Sequence, residues 1–302
     1  MRAMRWLPAM PEGPEAPEAR GELVLRYEDV AQNGRLLLEA MPTAVGTVTW
    51  PRVFKDLGEH AQEQTDMLPI LTRLAMQQER GPIGVGKALS GRGTYALAHT
   101  KSADGAVDRI FLNMWVELTG IIGNTHGFWV ERAGEQECVG RVFAEHVFTR
   151  PFAPPAERKV TALNVPAFPA VPPDVYAWRS ADVLLADVPA DVAWLDAAMT
   201  PEPPLVFGLM HTDSNQHVNS LVYPRAFEEA AVRRLAQHGV KNVLADYVEL
   251  SFRKPCFAGD VVAVSLQVGR VGEAYVARGY FTAAGEAPEK ARAFVRMTLL
   301  TA

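Results

Sequence analysis

The sequence has little cysteine, no run of basic residues and no long apolar segment. Two cysteines, Cys138 and Cys256, are too few for a disulfide framework, lack the spacing of a metal site, and favour a reducing cytoplasm. No apolar run approaches the roughly 20 residues that a membrane-spanning helix needs. The net charge of −5 and the scattered basic residues argue against a nucleic-acid partner.

Gly-rich phosphate loops, metal-ligand clusters and nucleophile elbows are also missing, so we expect no cofactor and find little support for nucleotide enzymes or serine hydrolases. Residues 1–20 are rich in Pro and Glu without an apolar core, which predicts a disordered tail rather than a signal peptide. The whole chain has 48% hydrophobic and 22% charged residues. This composition and the length are typical of one large or two ordinary globular domains.

The segment His211–Asn219, with sequence HTDSNQHVN, concentrates polar side chains between two apolar stretches. Residues 205–210 before it predict a short buried strand. Residues 221–235 after it predict a helix with a wide apolar stripe, capped by Asn219 or Ser220, with Pro224 in its first turn and Gly239 at its end.

Asp213, Asn215 and His217 would therefore lie at a helix N-terminus, where backbone N–H groups and the helix dipole favour an anion. A carboxylate there could serve as a base, and N–H groups near Val218 to Leu221 could hold an oxyanion. The alternative is that Asp213 and Asn215 are only turn and capping residues.

The pattern D-x-N-x-H-V-N followed by x-x-x-Y resembles the active-site signature of hot-dog-fold acyl-ACP thioesterases, and Thr212-Asp213 ahead of a Phe-Glu-Glu helix resembles the wider acyl-CoA thioesterase group. The resemblance is clear over about residues 211–260. It implies an acyl-CoA or acyl-ACP substrate, Asp213 as a base or water-orienting carboxylate, and Asn215 and His217 as groups that position the thioester.

Further candidates for substrate or oxyanion contacts are Val218, Asn219, Ser220, Tyr223, Glu228 and Cys256. One departure is that many such thioesterases carry a Glu where this chain has Lys254, Pro255 and Cys256. Either Asp213 and His217 suffice, or the base has moved, or hydrolysis has been lost or redirected.

An internal repeat accompanies the motif. Residues 50–54 (WPRVF) resemble residues 223–227 (YPRAF). Residues 80–86 align with residues 253–259 at the same spacing along the chain, which indicates a duplication. The positions that match Asp213, Asn215 and His217 in the first copy are Ala40, Pro42 and Ala44. The first copy thus has the scaffold without the chemistry, and would form a wall of the acyl pocket.

We therefore predict an α+β fold, a tandem double hot-dog in which each antiparallel sheet wraps a long central helix. Its parts would be residues 21–150, a Pro-rich linker at 151–202, and a catalytic unit at 203–302. The chain would be a monomer with an internal pseudo-dimer, or a homodimer.

Strands are expected in both units, and a helix with Thr49 as its cap and Pro51 in its first turn is expected after residue 49. The second unit would be a meander. The expected strands are residues 22–27, 35–40, 69–77, 87–100, 109–119 and 139–148 in the first unit, and 244–254, 261–268, 275–281 and 291–300 in the second. Residues 120–137 have no assignment.

The sequence is consistent with three functions. The leading hypothesis is thioester hydrolysis, in which Asp213 either activates water or attacks the thioester directly. The others are an acyltransferase or dehydratase acting on a carrier-bound intermediate, and a non-catalytic acyl-binding module.

Overall fold

A computed structural model describes residues 7–13, 16–58, 67–123 and 134–301. The described chain forms a large antiparallel sheet system with few helices, and it divides into two compact units. The first comprises the described residues within 7–74 and 78–179, and the second comprises residues 75–77 and 180–301. No helix among the described residues is long and apolar enough to cross a membrane.

The first unit is a sheet with the strand order β1-β3-β4-β5-β2. Its strands are β1 (Ala19–Leu23), β2 (Leu68–Gln78), β3 (Leu89–Lys101), β4 (Val107–Ile121) and β5 (Gln136–Thr149). A π-helical turn, Val45–Thr49, continues into α1 (Trp50–Leu57), which has Pro51 in its first turn. The turn packs closely on the sheet because Gly91 and Gly93 leave room: a Cβ on either would lie 2.5 Å from Val48 or Thr49.

The second unit is a sheet with the order β9-β12-β11-β10-β6, and two short strands, β7 and β8, also pair with β10. Its elements are α2 (Val183–Ala186), β6 (Ala193–Trp194), β7 (Thr200–Pro201), β8 (Leu205–Val206), α3 (Val222–Gln237), β9 (Val243–Phe252), β10 (Val261–Val271), β11 (Ala274–Ala283) and β12 (Ala293–Thr301). Helix α3 packs against β9, β10 and β12. Phe227 reaches Gly279, where an added Cβ would lie 2.9 Å from its ring.

The two units share one topology. In each, a helix is followed by four strands, and the first strand of the four lies beside the last rather than beside the second. The prediction of a simple meander in the second unit is therefore wrong for β9, which pairs with β12. Strand pairs that are distant in sequence are not encoded in local alternation.

Most long strands and α3 agree with the predictions to within a few residues, but the lead-in segments do not. The described part of the expected tail includes Ala19 and Arg20, which pair with β3. Residues 22–23 belong to β1 and residues 24–26 are irregular. Short 3-10 turns follow at Tyr27–Asp29 and Leu38–Ala40, with a bridge between Val30 and Leu36. The chain reverses between the two turns at Gly34, which has φ of 78°.

Two local predictions around the helices also need correction. Thr49 does not cap α1, because the helical backbone already begins at Val45; its hydroxyl instead donates to Trp115 O at 3.3 Å. The strand predicted at residues 205–210 ends at Val206. Residues 209–211 form a 3-10 turn because the Gly208 N–H donates to His211 Nδ1 at 2.9 Å. The first-unit helix, α1, ends at Leu57.

The segment predicted as a linker, residues 151–202, is irregular only in its first part. Val183–Ala186, Ala193–Trp194 and Thr200–Pro201 are regular elements of the second unit. Residues 150–179, all of them described, contain no regular element beyond the 3-10 turn Pro155–Glu157. The far end of this stretch is fastened to the first unit, since the Tyr176 hydroxyl donates to Glu145 Oε2 at 2.7 Å.

Candidate functional site

The motif folds as a tight turn closed by backbone bonds. The Asp213 N–H donates to His217 O at 3.1 Å, and the Gln216 N–H donates to Asp213 O at 3.0 Å. Thr212 and Val218 form an isolated antiparallel bridge beneath it. Gln216 takes the left-handed conformation, with φ of 66°, which closes the reversal. Asp213 and His217 are thus held at opposite ends of one turn.

The Asp213 carboxylate is fixed by two neutral donors. Its Oδ1 accepts the Asn215 N–H at 2.9 Å, and its Oδ2 accepts the Asn219 side-chain amide at 3.2 Å. Each carboxylate oxygen has two lone pairs, so one acceptor position remains on each. The side chain is partly exposed, which gives water a route to it.

Asn215 and His217 offer polar groups toward the surface. Asn215 is exposed and His217 is half-buried, with its ring 6.1 Å from that of Phe257. Among the described residues, neither side chain has a hydrogen-bond partner. Both are therefore available to a bound ligand.

Of the four backbone N–H groups predicted to bind an oxyanion, those of residues 218 to 221, three already donate to an acceptor within the protein. The N–H groups of Val218, Asn219 and Leu221 donate to Cys256 O at 2.8 Å, His211 O at 2.9 Å and Asn219 Oδ1 at 2.9 Å. The Ser220 N–H has no acceptor among the described residues, and the residue is half-buried. It lies two residues before Val222, the first residue of α3, near the helix end whose dipole favours negative charge.

Tyr223 and Cys256 lie beneath the turn and are both buried. The Tyr223 ring packs on Phe252 and Phe281, with centroids 5.4 and 5.2 Å away. Burial and a hydrogen bond to Cys256 raise the pKa of the Tyr223 hydroxyl, and burial raises the pKa of the Cys256 thiol. The structure thus places both in the support of the turn, with the Cys256 carbonyl holding Val218.

Glu228 lies one turn further along α3. Its Oε1 accepts the Ala245 N–H at 2.9 Å, which fastens the helix to the start of β9. This hydrogen bond gives the Glu228 carboxylate a structural role.

Exposed apolar side chains flank the turn, and the sequence did not reveal them. Leu209 and Met210 are 83% and 89% exposed, and Val206 and Phe257 are also exposed. Residues 206–210 were expected to lie inside a buried strand, so their apolar character was assigned to the core. Exposed apolar groups beside polar ones are typical of a ligand- or partner-binding surface.

The first unit contains an apolar cavity of about 180 Å³ between α1 and its sheet. Its lining residues are Trp50, Val53, Phe54, Leu57, Met67, Leu68, Pro69, Leu112, Phe148 and Phe168. A cavity of about 150 Å³ with such a lining is large enough to hold benzene. Across the described ranges, no group of three or more His, Cys, Asp or Glu residues is placed to hold a metal ion.

Comparison with solved structures finds thioesterases along nearly the whole chain. An acyl-ACP thioesterase from Bacteroides thetaiotaomicron matches with a TM-score of 0.58 and 12% identity, over 94% of this chain and 98% of that one. The 12:0-ACP thioesterase from Umbellularia californica matches with a TM-score of 0.57 and 15% identity, over 95% of this chain and 99% of that one. The resemblance to hot-dog acyl-ACP thioesterases is thereby confirmed at the level of the fold.

Sequence comparison adds no closer relative. Neither a protein-family profile nor a curated protein matches the chain.

Proposed function

We propose that this protein hydrolyses an acyl thioester, on acyl-ACP or acyl-CoA, at the turn formed by Asp213 to His217. The observation that carries the proposal is the pairing of a fixed, partly exposed carboxylate with an unused N–H at the start of α3. The shared fold with acyl-ACP thioesterases supports the substrate class.

Asp213 acts on water in this proposal. Two donors hold its oxygens, and each retains an acceptor position for a water molecule. General-base assistance of this kind contributes typically about 10²–10⁴-fold to the rate. No glutamate stands at the strand position that many relatives use, where Pro255 and the buried Cys256 lie.

The developing oxyanion binds the Ser220 N–H. One such donor is worth about 10²–10³-fold in kcat. His217 and Asn215 orient the thioester, since both present unengaged polar groups on the same turn.

In the first unit, the apolar cavity between α1 and its sheet is of a kind that holds part of an alkyl chain. Its volume of about 180 Å³ suits a guest of about benzene size.

We also propose that the chain is a tandem double hot-dog that arose by duplication. The identical strand order of the two units supports it, as does the position of both repeated motifs: residues 50–54 and 223–227 lie at helix starts, and residues 80–86 and 253–259 follow β2 and β9.

A thiol-release assay over acyl-CoA and acyl-ACP substrates of different chain length tests the function. Wild type should turn over at least one of them, Asp213→Ala should lose activity, and the exposed neighbour Ser214→Ala should retain it as the matched control. Tight acyl binding without turnover by wild type would replace hydrolysis with an acyl-binding role.

Pre-steady-state kinetics separate the two roles of Asp213. A base predicts no burst of thiol, whereas an acyl-anhydride intermediate that hydrolyses slowly predicts a burst equal to the enzyme concentration.

A further inference from the structure

Asn219 uses all of its polar groups inside the candidate site. Its N–H donates to His211 O at 2.9 Å, and its carbonyl accepts the Val222 N–H at 3.0 Å. Its side-chain Nδ2 donates to Asp213 Oδ2 at 3.2 Å, while Oδ1 accepts the Leu221 N–H at 2.9 Å. Its backbone N–H is therefore not available to an oxyanion.

The two side-chain bonds connect the carboxylate to the helix. The Leu221 N–H lies at the start of α3, and Ser220 sits between the two residues that this bond joins. The amide plane of Asn219 is rigid, so the position of Asp213 Oδ2 is tied to the backbone that carries the Ser220 N–H.

We propose that Asn219 is a positioning residue for thioester hydrolysis: it sets the Asp213 carboxylate at a fixed place relative to the Ser220 N–H. This inference rests on the proposed function. Misplacement of about 1 Å in such an arrangement costs about 10²-fold in rate. In this role Asn219 acts through Asp213.

The charge state of Asp213 enters the test, so its titratable surroundings matter. His211 precedes it and is occupied by the Gly208 N–H, His217 closes the other end of the turn, and Cys256 and Asp260 lie on the segment after β9. A neutral amide donor favours the ionised carboxylate, whereas a like charge disfavours it.

Two substitutions of Asn219 separate its hydrogen bond to Asp213 from its hydrogen bond with the Leu221 N–H. Asn219→Asp keeps acceptor oxygens for the Leu221 N–H but puts a second carboxylate beside Asp213. We expect kcat to fall about 10- to 100-fold and the acid limb of the kcat/KM profile to move to higher pH. Asn219→Ser keeps a hydroxyl oxygen for the Leu221 N–H but shortens the side chain, so the amide donor to Asp213 is lost without an added charge. We expect kcat to fall with little change in KM, and the acid limb to move less.

The same substitutions in Asp213→Ala, with thiol release and thermal unfolding measured for every variant, complete the test. Because Asn219 acts through Asp213, Asn219→Ser should lower the residual rate of Asp213→Ala no further. Wild-type kcat and pH profiles for both Asn219 variants, or an equal loss in both backgrounds, would reduce Asn219 to a structural cap and overturn the inference. Full activity of Asp213→Ala would instead remove the proposed function itself.

Discussion

The two units share a strand order but differ in what they hold. The second unit carries Asp213 and His217 on a bonded turn, and its helix–sheet interface is filled by the rings of Tyr223, Phe227 and Phe281. The first unit has Ala40 in a 3-10 turn at the position that matches Asp213, and it keeps an apolar cavity beside its helix. The same topology thus has aromatic rings between helix and sheet and a polar turn before the helix in the second unit. In the first unit it has an apolar cavity beside the helix and no such polar turn.

The difference follows from few residues. In the second unit Gly279 and the small Ala230 and Ala231 let α3 lie close to the sheet, and aromatic rings fill the remaining space. In the first unit α1 presents Trp50 and Phe54, whose rings stack at 5.2 Å. Phe54 is 62% exposed, so this ring does not fill the interface.

The largest of three effects tests the helix start in the second unit. Ser220→Pro removes the N–H that we assign to the oxyanion, and we expect kcat to fall about 10²–10³-fold, whereas Ser220→Ala keeps the N–H and should stay near wild type. Steady-state thiol release gives the rates, and thermal unfolding confirms that the proline variant is folded. Equal activity of both variants would move the oxyanion site elsewhere.

A buried histidine of the first unit should make the stability of the protein depend on pH. Burial lowers the pKa of His146, in β5 of the first unit, from 6.5 to about 4. The unfolded chain therefore binds a proton between pH 6.5 and 4 that the folded chain does not, so stability falls as the pH drops through this window. A shift of this size corresponds to about 3 kcal/mol.

His146→Gln should flatten that dependence. Urea unfolding at several pH values between 6.5 and 4 provides the measurement. A wild-type slope retained in His146→Gln would show that the imidazole is not held neutral by burial.

The smallest effect contrasts the open core with the filled one. Val53→Leu adds a methylene at the cavity wall, and we expect it to be neutral or to stabilise by about 0.5–2 kcal/mol. Ala230→Val adds bulk to the filled interface and should destabilise by about 1–3 kcal/mol. The free energy of unfolding in urea distinguishes them, and equal losses would mean that the cavity closes in solution.

Local patterns predicted most strands, α3 and the residue types of the site. Strand β9 was expected from its alternation at residues 244–254 and is observed at Val243–Phe252. The alternation did not show that its polar face is also buried. Glu249 lies there, 2.7 Å from the buried Arg296, and Asp187, directly after α2, binds Arg296 from the other side at 3.1 Å. Those partners are distant in sequence, so no local period contains them.

The site shows the same limit. The spacing of Asp213, Asn215 and His217 predicted a polar cluster at a helix start, but it could not tell which N–H groups are occupied. That depends on Cys256 and His211, whose carbonyls accept the Val218 and Asn219 N–H groups. The role of Asn219 changed for this reason, since its bond to His211 O removes its backbone N–H from the oxyanion donors.

Substitution of Asp213 by its neutral amide tests the central claim most directly, because Asp213→Asn keeps the size of the side chain and removes only the negative charge. We predict that kcat/KM for thiol release from the best acyl-CoA or acyl-ACP substrate falls about 10²–10⁴-fold, with the melting temperature close to that of wild type. An unchanged kcat/KM would contradict the assignment of thioester hydrolysis to the second unit.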